Sequence, residues 1–194
     1  EYLEKIAATF NKKNLESALN IVKDEEEDIS ARLTALNGIG DEAVLHDLTY
    51  SVSSECINEK IIEKIQNQNL LINLALNHPN HLIRHSACKK IKDDSILFYM
   101  ANNDSSYGVR LEAIKRIEDA EILNEILLNA ENNEIIIYLI GKLSGNEILD
   151  DFLRTFNHEG IVEHIRKQEV LEVIACFNCH TDMKIEAIAG ILNE

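Results

Sequence analysis

The sequence predicts an all-α protein built from stacked helical hairpins. Three observations carry that reading. The residue stock leans towards helix, with one proline and seven glycines to force breaks in 194 residues. A segment falls onto its neighbour at a shift of 26 residues. Inside each repeat, two apolar stripes recur at helical spacing.

The shift is clearest where HLIRHSACKKIKDDSILFYMANNDSS (81–106) meets YGVRLEAIKRIEDAEILNEILLNAEN (107–132), pairing Arg84 with Arg110, Ala87 with Ala113, Ile91 with Ile117 and Leu97 with Leu123. Such a fixed period marks a repeat architecture. It extends back to Arg32, Ala35, Ile39 and Leu45, with Ile61, Ile65 and Leu71 between. After Leu149 the step shortens to 22 and then returns to 26. One column reads Leu45, Leu71, Leu97, Leu123, Leu149, Leu171, and three residues on stand Leu48, Leu74, Met100, Ile126, Phe152 and Ile174. A hairpin this short cannot bury its apolar face alone, so successive repeats must stack into one core.

Each element follows from this frame. The run KDEEED (23–28) is a solvated loop between repeats. In each repeat the first helix carries apolar residues four apart, as at Val109, Ala113 and Ile117, and the second carries Ile122, Leu123, Ile126 and Leu127. The turn between them holds Asp41, Asn67, Asp93 or Asp119, side chains suited to cap the following helix. Asn77, Asn103 and Asn129 mark second-helix ends, where Asn tolerates a left-handed closing residue. The count is seven repeats and the first helix of an eighth, TDMKIEAIAGIL, in a single domain over residues 1–194. With no initiator Met, the chain is expected to be a fragment of a longer protein.

Units of the form VRLEAIKRIEDAEIL (109–123) resemble short HEAT-type repeats of the bacterial kind, near the leucine-rich-repeat-variant group. The resemblance covers almost the whole chain. It implies an α-α superhelix, a right-handed solenoid of hairpins, and a role as scaffold or peptide-binding surface more often than as enzyme.

The repeat register also weighs the conspicuous side chains. Cys88 shares a column with Leu36, Ile62, Ile114, Ile140, Val162 and Ile188, so it is expected in the core. His78, His81, His85 and Cys88 have helical metal-ligand spacing, but Pro79 starts a helix and leaves His78 in the preceding loop. His85 aligns with the apolar Leu33, Leu111 and Ile137 and is expected to point inward, so His81 with His85 is the one pair worth testing.

CFNCH (176–180) has the spacing of c-type haem attachment and of a dithiol or metal clip through Cys176, Cys179 and His180. Its place in the repeat is an inter-repeat loop, which favours a plain loop, and no cofactor is expected. His158 and Glu159 are similar to the His-Glu steps of HEAT-like di-iron hydroxylases, but those enzymes need several such pairs. With no nucleophile elbow, zinc-protease pair or phosphate loop, no enzymatic activity is expected.

The net charge of −15 opposes nucleic acid and anionic membranes, and no apolar run reaches membrane-spanning length. Four cysteines are too few for a disulfide scaffold of this size, which agrees with a reducing compartment, and a cytoplasmic location is expected. One local exception is a basic column, Lys64, Lys90, Arg116 and Lys142, with Lys89 and Lys115 beside it. It suits either a phosphate backbone, as in HEAT-like DNA-repair glycosylases, or a face of ordinary ion pairs.

Second helices line the concave side of solenoids. Their polar and aromatic residues here are Asp47, Tyr50, Phe98, Tyr99, Glu125, Asp150, Asp151 and Glu172. Aromatic anchors flanked by carboxylates fit a protein or peptide partner with a basic segment. Phe98 has a second reading, packing against the next repeat. The expected function is therefore a protein-interaction module, with a Cys176/Cys179 metal or redox module and a basic-ridge nucleic-acid binder as alternatives.

Overall fold

The computed structural model describes residues 2–130 and 132–143. Among these the chain is all-α, with no strand. The helices are α1 (Tyr2–Lys23), α2 (Ile29–Asn37), α3 (Glu42–Leu48), α4 (Glu55–Lys64), α5 (Gln68–Asn77), α6 (His81–Cys88), α7 (Asp94–Asn103), α8 (Tyr107–Arg116), α9 (Ala120–Asn129) and α10 (Asn133–Leu143). They fall in two compact units, residues 1–96 and 97–194.

Capping residues at the repeat period set the helix starts. Asp41, Asn67, Asp93 and Asp119 each accept the backbone N–H groups two and three residues on, with the nearer bond at 2.8–2.9 Å. These are the expected turn residues, and each satisfies two donors that the helix leaves open. First helices start just after Asp28, Asn80 and Asn132, whose side chains cap in the same way.

Three expectations need correction. Where the repeat count places a first hairpin, α1 runs unbroken for 22 residues, since it contains no Pro or Gly to break it. Second helices do end at Asn77 and Asn129, but they leave through extended residues, His78 (φ −68°, ψ 133°) and Ala130 (φ −76°, ψ 122°). The Asn103 and Asn129 side chains instead donate back to the carbonyls of Tyr99 (2.8 Å) and Glu125 (2.9 Å), closing the last turn without a left-handed residue. The column of Leu33, His85, Leu111 and Ile137 is half-buried, a rim and not the core.

In the N-terminal unit α1 packs on α2, and α2, α4 and α6 lie in sequence against one another. The second helices α3 and α5 pack together, as do α3 with α4 and α5 with α6. In the C-terminal unit α9 packs on α10. The apolar columns fill the interior of each unit. Leu45, Leu71, Leu97 and Leu123 are at most 2% exposed, and Ile39, Ile65, Ile91 and Ile117 are completely buried. Burying a side chain of this kind contributes about 1.5–3 kcal/mol. Cys88 is fully buried among them, as its column predicts.

Polar locks at the same period tie the loops. Arg84 Nη1 donates to the carbonyls of His78 (3.0 Å) and Pro79 (3.1 Å), and Arg110 Nη1 to that of Asp104 (2.8 Å). Arg32 Nε reaches Val22 O at 3.0 Å across the longer acidic loop. On α4 the column holds Asn58, whose Nδ2 donates to Val52 O at 2.7 Å, and on α10 it holds the apolar Ile136. Each lock fixes the segment leading into its own helix and satisfies a carbonyl that burial would otherwise orphan.

Candidate functional site

The basic column performs an unforeseen task. Lys90 Nζ donates to the carbonyls of Ile62 (3.0 Å), Glu63 (2.7 Å) and Ile65 (2.5 Å), the open end of α4. Lys142 repeats the arrangement at the end of α8, on Ile114 (2.9 Å), Lys115 (2.8 Å) and Ile117 (2.6 Å). Lys64 reaches only Asn37 O, at 3.3 Å. A cation at a helix C-terminus meets both unpaired carbonyls and the negative end of the helix dipole. Burial pushes the Lys90 and Lys142 ammonium groups below their ordinary value, opposed at Lys90 by Glu42 and Glu63 and at Lys142 by Glu118. Two members of the column are thus committed to backbone carbonyls, while Lys89 and Lys115 are exposed.

In the N-terminal unit, Asp47 sits in the last turn of α3 and Tyr50 in the turn just past its end, with Tyr50 N–H donating to Asp47 O at 3.2 Å. Tyr50 is 50% exposed. Its ring rests against His78 (centroids 4.3 Å apart) and, on another side, His46 (5.6 Å). His46 holds Asp47 Oδ1 through Nδ1 at 3.0 Å and Asn73 Oδ1, on α5, through Nε2 at 2.9 Å.

His78 Nδ1 accepts the Asn80 N–H at 3.1 Å, which assigns the proton of the neutral ring to the buried Nε2. Burial pushes its pKa down, opposed by hydrogen bonding to the backbone of Asn80 and Thr49 and reinforced by the neighbouring Arg84 and His46. Sequence reasoning found Asp47 and Tyr50, weighed His78 only as a metal ligand in the loop before Pro79, and missed His46. His46 had a readable signal, one residue before Asp47 and four before Tyr50 on one helical face.

In the C-terminal unit, Tyr99 is 55% exposed on α7, Phe98 is half-buried and Glu125 is exposed on α9. This unit also holds a cleft of about 500 Å³ lined by Asn102, Asp104, Arg110, Asn129 and Asn132. Asp150, Asp151, Glu172, Cys176, Cys179 and His180 lie outside the described residues, as do His158 and Glu159. Among the described residues no three His, Cys, Asp or Glu side chains gather in a way that could hold a metal, and no helix is long and apolar enough to cross a membrane. His81 is exposed and His85 half-buried on α6.

Comparison with protein-family models and with curated proteins finds no match.

Proposed function

We propose that the chain is a HEAT-like α-α superhelix, a right-handed solenoid, that works as a non-catalytic interaction scaffold in the cytoplasm. Its second helices bind a protein or peptide partner through that partner's basic segment. The observation that carries this reading is the half-exposed Tyr50 ring, resting against His78 and His46, three residues after the exposed Asp47 whose carboxylate His46 contacts. An aromatic face next to a carboxylate receives a Lys or Arg side chain by cation–π and ionic attraction together. Tyr99 and Glu125 supply the same residue types in the C-terminal unit. Free thiols at Cys56 and Cys88 agree with a reducing compartment.

The test is fluorescence anisotropy with a labelled amphipathic lysine/leucine peptide and its glutamate counterpart. Saturable binding of the basic peptide, weakened at least about tenfold by Tyr50→Ala with Asp47→Lys, is expected. Equal binding of both peptides, or no effect of the substitutions, would sink the reading.

A further inference from the structure

Along α2, α4, α6 and α8 the arginine column is broken once: positions 32, 84 and 110 are Arg and position 58 is Asn, while on α10 the column ends at Ile136. Arg84 holds two successive carbonyls, those of His78 and Pro79, whereas Asn58 holds only the first of the corresponding pair, Val52 O. Asn58 is 3% exposed, and its Oδ1 has no hydrogen-bond partner. It forms part of the wall of a cleft of about 140 Å³ between α4 and α6. Such a volume equals roughly four or five waters of liquid, enough for a guanidinium and its first methylenes.

The cleft's lining suits that group. Glu55 and Glu59, one turn apart on α4, line the cleft with Ser53, Ser86 and the half-exposed Leu82. Among the described residues neither carboxylate stands at ion-pair distance from a basic group; Lys60 contacts Glu63 and feels Glu59 only as a more distant charge. The Ser53 hydroxyl donates to Glu25, bringing a third carboxylate to the same edge. A buried amide oxygen without a donor, two exposed carboxylates and an apolar wall together describe a receptor for a planar cation with an aliphatic stem.

We propose that the α4–α6 cleft accepts the guanidinium of an arginine side chain presented by a partner polypeptide, completing from outside the column that Asn58 interrupts. This site is separate from the second-helix face around Tyr50. The repeats argue for arginine over lysine, because arginine occupies three of the equivalent positions and its fork addresses several acceptors at once.

The test titrates the chain with three short peptides that differ only at one position (arginine, lysine or the neutral isostere citrulline), followed by NMR at the Asn58 side-chain amide and the Ser53 and Ser86 backbone amides. Saturable shifts with the arginine peptide are expected, weakened at least about tenfold with lysine, citrulline or the Glu55→Gln/Glu59→Gln variant. Asn58→Arg, which fills the cleft with the chain's own guanidinium, should abolish the shifts while the α5 amides keep their positions. Equal response to arginine and citrulline, equal binding of the lysine peptide, or undiminished binding by Asn58→Arg would each overturn the proposal. Shifts at Tyr50 report the second-helix face independently.

Discussion

At equivalent places in the repeat, the two units are finished differently. In the N-terminal unit Tyr50 and His78 occupy the rim where second helices end, packed ring against ring. In the C-terminal unit, the same columns hold Asn102 and Asp104, which line an open polar cleft. Beneath the rim the two are alike: Lys90 and Lys142 each cap a first helix with three bonds, and Arg84 and Arg110 hold equivalent loop carbonyls. The difference teaches that framework and rim vary independently. The framework columns satisfy buried groups that every repeat must satisfy, whereas the rim answers only to what each unit meets at its surface.

The largest predicted effect breaks the framework. Leu71→Ala and Leu123→Ala empty equivalent, fully packed positions and should each cost about 2–5 kcal/mol in chemical denaturation. If the framework is shared, the losses in the two units will be similar. Next come Lys90→Met and Lys142→Met, each removing a charged donor from three carbonyls and expected to cost about 1.5–3 kcal/mol. A loss at one lysine only would show that the two caps are not equivalent.

The pH response should separate the units. The folded-state pKa of His78 lies below its unfolded value because of burial, so its contribution to stability is complete above the ordinary histidine range. As pH falls below that range, the unfolded chain takes up a proton that the native ring resists, and stability declines until the lower native pKa is passed. Hydrogen exchange at α5 and α6 amides should therefore quicken below about pH 6.5, and His78→Gln should flatten the response. The described part of the C-terminal unit contains no histidine and should show no such step. The smallest effect contrasts Asn129→Ala, which loses the bond to Glu125 O, with Asn77→Ala: about 0.5–1 kcal/mol against nearly none, by thermal unfolding.

Much of this framework is legible in the sequence because it recurs. Leucine and isoleucine columns, and Asp or Asn before each second helix, show through a period that survives substitution at any one place. The lysine column was visible as a column but not as a cap, since its bonds run to backbone carbonyls about 26 residues earlier, and carbonyls leave no mark in sequence. On the second-helix face, Asp47 and Tyr50 were readable from residue type. His78 was not, because it occurs once in a column otherwise of Val52, Asp104 and Ala130, and only packing brings it under the Tyr50 ring. Asn58 was hidden for the opposite reason: its meaning lies in the arginine it replaces.

The lysine caps also give the chain a temporal order. The open end of α4 is closed by Lys90, and that of α8 by Lys142, each supplied by a later stretch of sequence. On the ribosome, a first helix therefore emerges with its last carbonyls unsatisfied and acquires its closing ammonium only after about 26 further residues have been synthesised. At ordinary elongation rates that interval is roughly one to five seconds. The hairpins that begin with α4 and α8 thus mature behind the growing end, completed by the sequence that follows them.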